Sequence, residues 1–129
     1  MKKPTILICD DEPGVRESLK LILDREYTLL FATNGEEALK RIRKDNPDLA
    51  ITDIKMPKMG GLELLRRLRR FRSRLKVIVA TGYDSGDVAG QAIKLGAIDY
   101  LVKPFEREKV LTKIRSLLES LRMTKPGRD

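Results

Sequence analysis

A chain of 129 residues matches one ordinary domain, and its 41% hydrophobic content can supply a sizeable core. With no histidine and one cysteine, Ser-His and Cys-His catalytic pairs, histidine-rich zinc sites and internal disulfides are all excluded, so any bound metal is held by oxygen, as Mg²⁺, Ca²⁺ or Mn²⁺ is. The net charge of +8, from 27 Lys and Arg against 19 Asp and Glu, admits an acidic partner without selecting one.

The first apolar run, Thr5 to Cys9, predicts a strand that ends on Asp10-Asp11. Pro13 suits the first turn of a helix carrying Val15, Leu19, Ile22 and Leu23 at helical spacing. Tyr27 to Ala32 reads as a second strand, stopped by Asn34-Gly35, and Glu36 to Lys44 as a helix with Ala38, Leu39 and Ile42 on one face. Leu49 to Thr52 is almost wholly apolar, as a strand covered on both faces should be, and ends on Asp53. An irregular stretch containing Pro57 closes at Gly60. It leads to a helix over Gly61 to Phe71 with Leu62, Leu65 and Leu68 inward. Lys76 to Ala80 gives a fourth strand that ends on Thr81. A weaker helix follows over Asp84 to Leu95, containing Gly86 and Gly90 and capped by Gly96. Ile98 to Val102 is a fifth strand ending on Lys103. Phe105 to Leu121 is a last amphipathic helix with Val110, Ile114, Leu117, Leu118 and Leu121 in its stripe.

Strict alternation of five strands and five helices predicts an α/β fold of the doubly wound, parallel-sheet type. One domain over 1–123 is expected, with polar residues 124–129 as a frayed tail or the start of a linker. No apolar run approaches the ~20 residues that cross a membrane, and Met1 to Asp10 is no secretory signal. Together with the lone Cys9, read as a small buried hydrophobe, this points to a reducing, cytoplasmic setting.

In an open parallel sheet, ligands bind outside the carboxyl ends of the strands. Asp10, Asp11, Asp53, Thr81 and Lys103 all sit at such ends. Adjacent carboxylates repel and raise each other's pKa unless a cation relieves them, and Mg²⁺ is usually held by one or two carboxylates with waters and phosphate oxygens. The bland alternative for Asp11 or Glu12 is a helix cap. A third carboxylate, Asp53, is a candidate nucleophile toward phosphorus, giving an aspartyl phosphate. Lys103 would supply the cation and Thr81 a hydrogen-bond donor for the phosphoryl oxygens. A cis bond before Pro104 would turn the lysine amine back toward the site.

The chain resembles the receiver domain of bacterial two-component response regulators. The matching residues are Asp10-Asp11, the stretch Asp53 to Gly61, Thr81-Gly82, and Gly96 to Phe105 ending in Lys103-Pro104-Phe105. The resemblance covers about Pro4 to Leu121. It implies a flavodoxin-like sheet in the order 2-1-3-4-5. It also implies that Asp53 accepts a phosphoryl group from a phosphohistidine on a sensor histidine kinase or phosphotransfer protein. By the same resemblance, Mg²⁺ is held by Asp10, Asp11, Asp53 and the carbonyl of Lys55, with Mn²⁺ as a substitute. Thr81 and Lys103 contact the phosphoryl group, and Thr81 with Tyr100 forms a switch read by an output domain or target protein. Lys55 and Tyr83 occupy positions that set phosphate lifetime, and bulky Tyr83 is expected to hinder the attacking water. One departure stands out. Where receivers that dimerise through their fourth and fifth helices carry an acid and then a base early in the last helix, this chain has Lys109 and Lys113.

Two other classes compete. A small aspartyl-phosphate hydrolase would use the same carboxylates but needs a substrate-binding cap, for which this chain has no residues to spare. A nucleic-acid-binding module would use the basic run from Arg66 to Lys76. That run reads as a solvated helix face, without interleaved aromatics or a recognition helix, so direct nucleic-acid contact is not expected.

Overall fold

The computed structural model describes residues 2–71, 74–82 and 86–123, the last three by backbone only. The chain alternates β1 (Thr5–Cys9), α1 (Pro13–Leu23), β2 (Thr28–Ala32), α2 (Gly35–Asp45), β3 (Leu49–Asp53), α3 (Gly61–Phe71), β4 (Lys76–Thr81), α4 (Gly86–Lys94), β5 (Asp99–Val102) and α5 (Arg107–Met123). All four strand pairings are parallel, and the sheet order is β2-β1-β3-β4-β5.

Both sheet faces are covered, which is why the central strands read as unbroken apolar runs. Leu7, Cys9, Ala50, Val77 and Val79 face a core shared with α2, α3 and α4. Ile6, Ile8, Leu49, Ile51, Ile78 and Ala80 face one shared with α1 and α5. Asn34 caps α2 by accepting the Glu37 amide at 3.0 Å, as the Asn-Gly pair foreshadows.

Register then places the site. Cys9 lies beside Thr52, Asp53 beside Ala80, and Thr81 beside Val102. The next residue after β1, the last residues of β3 and β4, and the residue after β5 therefore reach one edge.

The structure departs from the sequence reading at several places. Tyr27 is buried but precedes β2, its amide bonded back to the Leu23 carbonyl at 3.1 Å. Leu64 lies inward on α3 with Leu65 and Leu68, while Leu62 is only partly buried. α5 begins at Arg107 rather than Phe105, with the Glu106 carbonyl accepting the Val110 amide. Leu111 joins the α5 core stripe, Leu117 is half-buried, and the Leu121 side chain lies outside the described residues. So do Asp84, Tyr83 and residues 124–129.

Candidate functional site

Asp10 is the buried member of the cluster, 2% exposed. Its backbone is fixed on both sides: the amide donates to the Ala32 carbonyl at 3.0 Å, and its carbonyl accepts Arg16 Nη1 at 2.8 Å. Oδ1 accepts the Glu12 amide at 2.9 Å, which leaves Oδ2 for Lys103 Nζ at 3.0 Å. The helix-cap alternative fails here. Glu12 occupies the N-cap position of α1, but its side chain makes no capping hydrogen bond. Asp11 is exposed beside it.

Asp53 closes β3. Its Oδ1 accepts the Ile54 amide at 2.7 Å, and Oδ2 lies 3.3 Å from Lys103 Nζ. Burial and the neighbouring Asp10 charge push the Asp53 carboxyl above its ordinary pKa, against the pull of the Ile54 amide and Lys103. Burial alone would lower the Lys103 amine. The hydrogen bond to Asp10 and the charges of Asp53 and Asp10 outweigh it and leave the amine raised. Glu12 Oε1, at 3.8 Å, is a third carboxylate near the same nitrogen.

One oxygen from each of Asp10, Asp11 and Asp53 falls within 4.8 Å of the others. Such an all-oxygen, all-anionic donor set fits a hard divalent cation. Lys55 is exposed on the loop just after β3. Gly61 packs so closely on the Asp53 carbonyl that a Cβ there would overlap it.

Thr81 ends β4 half-buried, and its carbonyl accepts the Lys103 amide at 2.8 Å. The Lys103-Pro104 bond is cis. Tyr100 is 37% exposed on β5. Lys113 Nζ lies 5.7 Å from its ring centroid, donates to its carbonyl at 3.0 Å, and pairs with Asp99 at 3.2 Å. Lys109 pairs with Glu106 at 3.6 Å. Cys9 is an inert core thiol: burial pushes its pKa up to about 12, and Sγ sits 3.3 Å from the Asn34 carbonyl.

Sequence reasoning missed Arg16, the Glu12 amide and the Ile54 amide. Arg16 had one weak signal, a cation in the first turn of the helix that follows the acid pair. The two amides had none, because backbone donors carry no residue type.

Three acids and an amine thus meet at the carboxyl edge of a five-stranded parallel sheet, the edge where α/β domains of this class bind their ligands. The family model described as "Response regulator receiver domain" matches residues 6–115. The chain belongs to that family, whose members act in two-component signalling. It is 42% identical over 122 residues to response regulator MprA of Mycobacterium leprae, covering 94% of this chain and 52% of that one. The chain thus spans about half the length of the curated relatives it matches. Among solved structures, a CheY-like response regulator receiver domain protein from Methanospirillum hungatei is 34% identical with a TM-score of 0.87, covering 95% of this chain and 98% of that one. NtrX from Brucella abortus matches at 28% identity and a TM-score of 0.89, across 95% of this chain and 29% of that one. Among the described residues, no helix is long and apolar enough to cross a membrane.

Proposed function

We propose that this domain takes a phosphoryl group from a phosphohistidine onto Asp53 and thereby switches the surface around α4, β5 and α5. The observation that carries this is the Lys103 amine lying between Asp10 and Asp53, with Asp11 in reach of both carboxylates. An Asp53 oxygen attacks phosphorus, the P–N bond breaks, and its electron pair stays on the donor imidazole. Asp10, Asp11, Asp53 and the Lys55 carbonyl would hold Mg²⁺, or Mn²⁺ in its place. The cation supplies charge neutralisation at the phosphoryl oxygens. Lys103 balances the remaining negative charge, and the Thr81 hydroxyl donates to a phosphoryl oxygen.

The reading includes a sensor histidine kinase or phosphotransfer protein as donor and an output domain or target protein as receiver of the signal. The Tyr100 ring, exposed here, would turn inward with Thr81 on phosphorylation. The domain signals rather than turning over a substrate, and its only catalysis is of its own phosphorylation and dephosphorylation.

Intact-mass spectrometry after incubation with acetyl phosphate tests this. One phosphate adduct that requires Mg²⁺ and is absent from Asp53→Asn is expected. An adduct that persists in the variant would refute Asp53 as acceptor. Tyr83 lies outside the described residues, and its expectation has its own test: Tyr83→Ala should shorten the adduct's half-life severalfold, followed by mass against time.

A further inference from the structure

The basic run from Arg66 acquires a neighbour in the fold. α2 packs against α3 through Leu39, Ile42, Leu64, Leu65 and Leu68, and the Arg43 guanidinium lies 4.7 Å over the Phe71 ring. Both helices run back from the acidic edge, so their basic last turns lie side by side near the amino ends of the strands. Cations in a last turn offset the helix dipole, which accounts for one or two per helix. It does not account for this density.

Glu36 and Glu37 lie in the first turn of α2, away from its basic end, and the other acids of the two helices are already taken. Asp45 pairs with Arg41 at 3.0 Å, and Glu63 with Arg66 and Arg67 at 3.3 and 3.1 Å. Among the described residues, Lys40, Arg43, Lys44, Arg70 and Arg74 are exposed and have no carboxylate in ion-pair range.

The patch also lacks what other partners need. The large apolar side chains that reach solvent (Leu21, Ile93, Ile98, Tyr100 and Val102) belong to other elements. Among the described residues here, only Phe71 is exposed, under the Arg43 guanidinium. A protein partner would want a buried apolar centre, a lipid surface an inserting stripe, and a single strand several stacking aromatics. What remains is neutralisation of closely spaced phosphates, for which the guanidinium fork is suited. Duplex DNA offers about one charge per ~1.7 Å of axis, against the ~16 Å length of α3. The carboxylate site sits at the opposite end of the sheet, so it does not repel phosphates docked here.

We propose that the α2–α3 face binds the backbone of duplex nucleic acid without sequence preference. The proposal does not depend on phosphorylation of Asp53. The test is fluorescence anisotropy of a labelled duplex of arbitrary sequence with the full chain, between about 50 and about 200 mM KCl. A log–log salt slope of about −3 to −5 is expected, as ~4–5 neutralised phosphates require. Lys44→Gln/Arg70→Gln/Arg74→Gln should weaken binding at least ~10-fold at the low-salt end and flatten the slope by about 3. The charge-matched set Lys20→Gln/Arg107→Gln/Lys109→Gln, on the α1 and α5 side of the sheet, should cost less than ~3-fold. The single variants Arg70→Gln and Arg74→Gln, each expected to flatten the slope by about 1, settle the matter should the triple fail to fold. The proposal is overturned by no binding at low salt, or by equal loss in both triples. Preference for polyglutamate or for anionic vesicles over the duplex would overturn it as well.

Discussion

The β1–β3 centre of the sheet and its α4–β5 flank are built to different standards. In the centre, four residues of each strand are buried, and the carboxylates stand on strand ends pinned by backbone hydrogen bonds. On the flank, α4 buries only Ala89 and Ala92 and β5 buries only Leu101, while Ile93, Ile98, Tyr100 and Val102 are exposed. Phosphoryl chemistry needs fixed geometry, and a switch needs an element with little to lose by moving. Under the function proposed above, the difference suits the centre to the chemistry and the flank to the switch.

Core truncation breaks the comparison most sharply. Ile51→Ala on β3, where Ile51 is 1% exposed, should cost about 2–5 kcal/mol in urea unfolding, whereas Ile93→Ala on α4, 46% exposed, should stay within about 0.5 kcal/mol. Equal costs would erase the distinction. Next comes Gly61→Ala, whose Cβ would meet the Asp53 carbonyl backbone and force β3 to shift. It should lower stability by about 1–3 kcal/mol and slow phosphorylation by acetyl phosphate.

Asp53 sharpens the comparison electrostatically. Its carboxyl is raised in the fold, so the native state holds more protons than the unfolded state in the window above 3.8. Stability therefore falls as pH rises through that window. With a chelator present, Asp53→Asn should melt higher than the parent at neutral pH. The gap should vanish toward pH ~3, where the carboxyl is protonated in both states. Mg²⁺ should narrow it at neutral pH. A lower melting temperature for the variant at neutral pH would contradict the burial argument. The smallest effect belongs to Gly90→Ala in α4, where an added Cβ meets nothing within 4 Å. It should stabilise by about 0.4–1 kcal/mol and reduce amide exchange in α4 alone.

Much of this was legible in the sequence because one physical fact governed it. Strands covered on both faces are nearly all apolar, so the polar residues that close each run mark the carboxyl edge of the sheet: Asp10, Asp53, Thr81 and Lys103. Strand order followed from resemblance rather than from pattern. Element ends shifted where side chains gave no signal, as at Tyr27 and Phe105, which are apolar yet lie outside their predicted elements. Leu64 and Leu111 were missed because each adjoins another inward leucine or valine, and the inward stripe of a covered helix is wider than one residue per turn. Tyr100 stands outward beside Lys113, thirteen residues away on another element, and no local pattern reports such a contact.

The hydrogen bond from Lys103 to Asp10 joins positions 93 apart along the chain. Between β1 and β5 lie β3 and β4, so the amine reaches its carboxylates only after every intervening strand has paired in register. Closing so long a loop costs entropy that local contacts cannot repay early in folding. A chain caught with β5 undocked would hold its acidic edge without the amine that balances it. The bond that balances the acidic edge thereby certifies that β1, β3, β4 and β5 are in place.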